Sequence, residues 1–325
     1  MMLINMIINN HAKAGNSNKA REYLEYMRFK LKLVPDLIIM NTVIHAYAKN
    51  GDIKGANDVL KILEEELLLT PDQFTFSSLI NAHAKTGDTA GAVIILKKML
   101  KNNMEPNIIV MTSIISAYAQ AGDISGVLEL LRIMRDVLKL TPSVVTMNSV
   151  INAFSKKGDE KGAFEVLRMM REEMDLKPNV RTMNEMINLC SLKRDSRGAE
   201  KFFMILRTMQ LLPDQYTMNS LLKAIVCDKS NMSTSWQKVK EYNSEYFGLG
   251  KLTRDQYTYG QLILACEKHK QYVQAILWFN QMLEEDKIEP NATLVFIFNR
   301  CLGTVKYKEF LSKSPHLKSK LFLKR

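Results

Sequence analysis

Apolar positions along this chain fall into pairs of short amphipathic stretches that recur every 35 or 36 residues. In "TMNSVINAFSKK", Val150, Ile151 and Phe154 have the i, i+1, i+4 spacing of one helical face. A Gly-Asp pair at Gly158 then interrupts the pattern, which predicts the end of a helix and a turn. "EKGAFEVLRMMREEM" resumes it, with Ala163, Val166, Leu167 and Met170 on one face of a second helix. A Pro then closes the unit and opens the next.

The punctuation repeats with the pattern. Pro followed by a small polar residue recurs at Pro35-Asp36, Pro71-Asp72, Pro106-Asn107, Pro142-Ser143, Pro178-Asn179, Pro213-Asp214 and Pro290-Asn291, with Arg254-Asp255 in the remaining place. Gly15, Gly51, Gly87, Gly122 and Gly158 hold one register. Ala20, Ala56, Ala92, Ala163, Ala199 and Ala275 hold a second, with Val127 as the exception, and Met27, Leu63, Met99, Met134, Met170, Leu206 and Met282 hold a third. The small residue lets paired helices approach closely, and the Met and Leu column is core filler. A two-helix unit cannot bury its apolar face alone, whereas a stack of such units can.

The predicted fold is therefore all-α, a superhelical solenoid of eight helix-turn-helix units: 1–36, 37–72, 73–107, 108–143, 144–179, 180–214, 215–255 and 256–291. Residues 292–325 start as a partial ninth unit, expected to cap the apolar end, and then turn basic. The seventh unit is longer, and its extra residues are expected near "CDKSNMSTS", between its helices.

Composition sharpens this picture. Hydrophobic residues make up 46% of the 325, enough for a large core, and Gly and Pro number only 14 and 8, too few for an all-β chain with many tight turns. The net charge of +11 favours a polyanion, nucleic acid before anionic membrane, although a basic balance also serves plain solubility. Cys190, Cys227, Cys266 and Cys301 lie tens of residues apart with no CxxC pair, which disfavours both zinc and a disulfide framework. No run of about 18 apolar residues predicts a membrane span. "MMLINMIINN" is too short and polar for a signal peptide and lacks the Arg-rich character of a transit peptide. His11, His45, His83, His269 and His316 stand in separate units or the tail, and no Gly-rich phosphate loop occurs. The chain reads as a binder, with no catalytic residues, metal or cofactor.

The segment "VVTMNSVINAFSKKGDEKGAFEVLRMMREEMDLKPN" resembles the pentatricopeptide repeat, and the resemblance extends over about 1–291. The Trp, Leu-Gly, Tyr signature of the related tetratricopeptide repeat is absent. The resemblance implies a right-handed superhelix that binds single-stranded RNA, one base per repeat, without an added nuclease or deaminase domain, for which residues 292–325 are too few. It further implies that the fifth residue of each unit, together with the last, chooses the base. The pairs are Asn5 with Asp36, Asn41 with Asp72, Ser77 with Asn107, Thr112 with Ser143, Asn148 with Asn179, Asn184 with Asp214, Asn219 with Asp255 and Gly260 with Asn291. In family terms the tract is about U-U-A-?-C-U-U-?, read 5′ to 3′ along the chain.

Second-position residues Met2, Ile38, Phe74, Ile109, Val145, Arg181, Tyr216 and Tyr257 would sandwich the bases, or else pack between repeats. Thirteenth-position lysines Lys13, Lys49, Lys85, Lys156 and Lys268, with Gln120 in the fourth unit, would form a stripe along the phosphates or a solvated face. Each last residue is also a good N-cap for the following helix. The Asn column is harder to explain by packing, because Asn is a poor helix former. The family expectation is a sequence-selective factor in RNA stability, processing or translation in a mitochondrion or chloroplast. The alternatives are a structural RNA-binding subunit of an organellar ribosome, with ribosomal or processing-complex proteins as partners, and a protein scaffold. No membrane association is expected.

Overall fold

The computed structural model describes residues 2–248 and 251–313, and every regular element among them is helical. The helices come in pairs. In the N-terminal block, residues 1–177, these are α1 (Met2–Lys13) with α2 (Ser17–Glu25), α3 (Leu37–Asn50) with α4 (Ile53–Lys61), α5 (Gln73–Thr86) with α6 (Thr89–Lys101), α7 (Ile108–Ala121) with α8 (Ile124–Arg132), and α9 (Val144–Lys157) with α10 (Glu160–Arg168). The C-terminal block, residues 178–325, holds α11 (Val180–Lys193) with α12 (Ser196–Thr208), α13 (Gln215–Cys227) with α14 (Met232–Tyr242), α15 (Gln256–Lys268) with α16 (Tyr272–Glu284), and a final α17 (Ala292–Lys313). Within each block, consecutive odd helices pack on one another, and each even helix packs on its own partner and on the next odd helix. Each block is thus a two-layered repeat stack, and the chain is an all-α solenoid.

The Gly-Asp pairs explain why the two helices of a repeat separate where they do. Gly51, Gly87, Gly122 and Gly158 close their odd helices in the left-handed region, at φ 68 to 71°, which costs glycine little. The next residue, Asp52, Asp88, Asp123 or Asp159, caps the even helix by accepting the N–H three residues on, at 2.8 to 3.0 Å. The small-residue column and the Met and Leu column are fully buried, from Ala20 and Met27 to Ala275 and Met282.

The alternation of 35 and 36 residues has a local cause. Repeats 1, 2, 4 and 5, of 36 residues, end their second helix in a π-helical turn: Tyr26–Lys30, Ile62–Glu66, Ile133–Val137 and Met169–Glu173. Repeats 3 and 6, of 35 residues, do not, and neither does repeat 8, although it has 36. In repeats 1, 2, 4 and 5 the extra residue is absorbed in the wider turn. In the 36-residue repeats the closing N–H, such as Leu69 or Leu140, reaches back six positions to the Met or Leu column. In the 35-residue repeats Met104 and Leu211 reach back five. Each such turn passes through a residue other than glycine at positive φ, among them Lys32, Leu68, Asn103, Lys139, Asp175 and Gln210.

The expected insertion between the helices of repeat 7 is only partly there. The loop Asp228–Asn231 is longer than a Gly-Asp pair, but α14 and its π-turn (Asn243–Gly248) have eleven and six residues, against nine and five in repeat 2. The longer loop is held by buried Asp228. Its carboxylate accepts from Ser196 Oγ at 2.5 Å, Ser230 N at 2.8 Å, Ser230 Oγ at 2.6 Å and Asn231 Nδ2 at 2.9 Å. Burial raises the Asp228 pKa, but these donors outweigh it and hold the carboxyl far below the ordinary range. At the end of the chain α17 covers the last pair. Phe298 stacks on Phe279 with ring centroids 4.0 Å apart, and Leu294, Cys301, Leu302 and Phe310 are buried. The basic tail beyond Lys313, with His316, lies outside the described residues.

Candidate functional site

The last residue of each repeat is first of all an N-cap. Asp36, Asp72, Asn107, Ser143, Asn179, Asp214, Asp255 and Asn291 all accept the N–H of the third residue of the following helix, at 2.7 to 3.2 Å. In five of them that third residue is a Thr whose hydroxyl returns the bond, completing a capping box: Thr75, Thr146, Thr182, Thr217 and Thr258.

The fifth-position residues meet these caps from the preceding repeat. Asn41 Nδ2 donates to Asp72 at 3.0 Å, Asn184 Nδ2 to both oxygens of Asp214 at 3.1 Å, and Asn219 Nδ2 to Asp255 at 3.3 and 3.4 Å. The pairs named from the sequence are therefore brought into contact in these repeats. Asn41, Asn184 and Asn219 are buried, so the same geometry also ties one odd helix to the next within each block, and Asn148 is buried too. Thr112 meets the hydroxyl of Thr146 at 2.7 Å, whereas Ser77 turns back to its own helix, donating to the Gln73 carbonyl at 2.6 Å. At Gly260 no side chain reaches the position, and Asn291 bonds Gln256 at 3.0 Å.

Among the described residues, the apolar and aromatic second-position side chains are at least half exposed, although Phe74 also lies against His45 of the preceding repeat. Ile38, Phe74, Ile109, Val145, Tyr216 and Tyr257 are 50 to 75% exposed, and Arg181 is exposed too. The side chain of Met2 lies outside the described residues. Between Phe74 and Ile109 opens a 570 Å³ cavity lined by Ser77, Asn107, Asn81 and His45, and a second, of 340 Å³, is lined by Asn5, Asn9 and Ile38. His45 lies 5.6 Å from the Phe74 ring. Its partial burial, then Lys49 and Lys85, lower its pKa below the ordinary imidazole value.

The thirteenth-position lysines are committed in part. Lys49 donates to the Lys13 carbonyl at 3.0 Å, Lys85 to that of Lys49, Lys156 to that of Gln120 at 3.1 Å and Lys268 to that of Val226 at 2.5 Å. Each neutralises the negative end of the preceding odd helix, yet Lys13, Lys49, Lys85 and Lys156 remain exposed.

Two columns escaped the sequence reading. The third-position Thr is one. The other is a polar ninth position, Asn9, His45, Asn81, Ser116, Asn152 and Asn188, one turn beyond the fifth and on the same helix face. The i, i+4 recurrence of Asn was the signal available.

Models of the "PPR repeat family" match residues 35–85 and 142–191, the "Pentatricopeptide repeat domain" matches 69–121, 94–157 and 172–228, and the "PPR repeat" matches 4–30 and 257–286. Together they span well over half the chain. No curated protein sequence matches it. Among solved structures, the pentatricopeptide repeat protein PPR10 in complex with an 18-nt psaJ RNA element is similar at TM-score 0.65 and 19% identity, over 90% of this chain and 41% of that one. PPR10 from maize is similar at TM-score 0.56 and 18% identity, over 98% of this chain and 54% of that one. At such identity the likeness is one of fold, and the chain spans about half or less of the length of these neighbours.

Proposed function

This chain belongs to the pentatricopeptide repeat family, and from that premise we propose that it binds single-stranded RNA, one base per repeat, along the shared face of its odd helices. The observation that carries the reading is the exposed second-position column. Six apolar or aromatic side chains remain half or more exposed at one register, where full burial in a neighbouring repeat would have been worth roughly 1–2 kcal/mol more each. Bases offer flat apolar faces that such side chains can sandwich, whatever the sequence. About one turn along each odd helix lie the polar fifth positions, which would supply hydrogen bonds to base edges, and about three turns along, at the helix ends, lie the lysines, which would supply charge for phosphates. PPR10, which shares the fold, has been crystallised with RNA.

On this reading the tract is about U-U-A-?-C-U-U-?, and the biological role is control of the stability, processing or translation of a transcript in a mitochondrion or chloroplast. The test is binding to UUACCUU and to scrambled RNAs at fixed salt. Preference for the tract, weakened by about 1–3 kcal/mol at one base in Asn184→Ala, is the expected result. Binding indifferent to sequence would favour a structural ribonucleoprotein role, and no binding at low salt would reject RNA as the ligand.

A further inference from the structure

An amide is nearly symmetric in shape, and exchanging its two ends exchanges a donor for an acceptor. That exchange separates the two pyrimidines. Uracil offers an N3–H donor beside carbonyl acceptors, whereas cytosine offers an N3 acceptor beside an amino donor. An Asn that reads a pyrimidine edge must therefore have its amide held one way round.

The cap and the third-position Thr together hold it. The carboxylates of Asp72, Asp214 and Asp255 only accept, so the amide NH2 of Asn41, Asn184 or Asn219 must face them. The amide oxygen then faces Thr75, Thr217 or Thr258, whose hydroxyl donates to it at 2.6, 2.6 and 2.8 Å. Each of these hydroxyls also accepts the N–H of the cap residue and lies 2.9, 2.8 and 2.9 Å from the cap carboxylate, which competes for its single proton, but the amide oxygen is the nearer acceptor in all three. One amide N–H and one carbonyl lone pair remain, in a fixed order, for a ligand. Repeat 1 lacks the device. Ile39 stands where Thr would be, and the buried Oδ1 of Asn5 has no hydrogen-bond partner among the described residues.

We propose that the third-position Thr of each following repeat is a positioning residue that fixes the amide of the preceding Asn and so sets discrimination between uracil and cytosine. The proposal rests on the base-reading function proposed above. It implies that repeats 2, 6 and 7 discriminate sharply and repeat 1 poorly.

The experiment measures the ratio of affinities for uracil over cytosine at the base facing repeat 6 and at the base facing repeat 1. Thr217→Val should lower the first ratio about tenfold, the equivalent of ~1.4 kcal/mol. Thr217→Ser, which keeps the hydroxyl, should preserve it. Ile39→Thr should raise the second ratio several-fold, and it tests the proposal even if Thr217→Val fails to fold. An unchanged ratio in Thr217→Val, while Asn184→Ala abolishes discrimination, would overturn the positioning role and leave base reading intact. So would an unchanged ratio in a folded Ile39→Thr. An unaltered chain that binds none of these RNAs would overturn both.

Discussion

A methyl group added at Gly162 would lie 2.2 Å from two carbons of the Phe154 ring. The same approach occurs at Gly55 under Tyr47, at Gly91 under His83 and at Gly126 under Tyr118. An eleventh-position ring thus lies on a glycine of the second helix in four successive repeats. Repeat 1 has Lys19 at the glycine's place, and there His11 stacks on Tyr23 instead, with centroids 5.3 Å apart. Alanine at an exposed helix position would gain about 1 kcal/mol over glycine. In Gly162→Ala the displaced ring of buried Phe154 outweighs that gain, and a net loss of about 1–3 kcal/mol is expected in denaturant unfolding. A neutral or stabilising effect would show that the ring moves freely. The first glycine column was legible because it sits where the helical pattern breaks. This second one lies inside an amphipathic helix, and only its fixed distance from an aromatic eight positions upstream reveals it. The fifth-position Asn was legible as an anomaly, a polar residue on an apolar face. Its Thr partner was not, because an early Thr reads as an unremarkable capping residue until the neighbouring repeat is placed beside it.

For a helix, the relevant quantity is phase. One residue inserted in an α-helix turns everything beyond it by about 100°, enough to expose a buried column. The π-turns avoid this by confining the extra residue to the last turn, after the residues that pack on the odd helix. Deleting exposed Arg135 from the turn Ile133–Val137 should therefore give a 35-residue repeat closed like repeat 3, at a cost below about 1 kcal/mol. Deleting exposed Lys97 from α6, which has no such turn, rotates buried Met99 out of register, and a loss above about 3 kcal/mol is expected. Unfolding midpoints of the two variants decide the matter, and equal losses would mean that the π-turn is no removable insertion. The existence, type and order of the helices were legible because apolar period and punctuation agree in the first five repeats, and the Pro and apolar columns carry the register into most of the rest. The π-turns were not, since α and π turns bury the same residues up to the Met and Leu column. The lengthening of repeat 7 was misplaced in part for a related reason. "CDKSNMSTS" is polar enough to read as loop throughout, yet Met232 already begins a helix whose start is pinned by the Asp228 network.

At the scale of the molecule, net charge says little about where a polyanion would lie. Residues 1–177 carry 22 Lys and Arg against 20 Asp and Glu, and residues 178–325 carry 23 against 14. The nearly neutral block nevertheless holds four of the five thirteenth-position lysines, Lys13, Lys49, Lys85 and Lys156. If RNA follows this column, its binding depends on register and not on total charge. Each phosphate neutralised on a single strand contributes about 0.7 to the slope of log affinity against log salt, so five lysines would give about −3.5. Replacing Lys49 and Lys85 together by Gln should reduce the slope by about 1.4 and leave base preference unchanged. Replacing Lys97 and Lys161, exposed lysines of α6 and α10, removes the same charge and should leave the slope as it was. The comparison separates two roles that the same side chains can play. Lysines that only cap the carbonyl ends of the preceding helices would lose stability on replacement, with no change in slope. Lysines that hold phosphates change the slope whether or not the stack is weakened, because the released counterions come from the RNA and not from the protein.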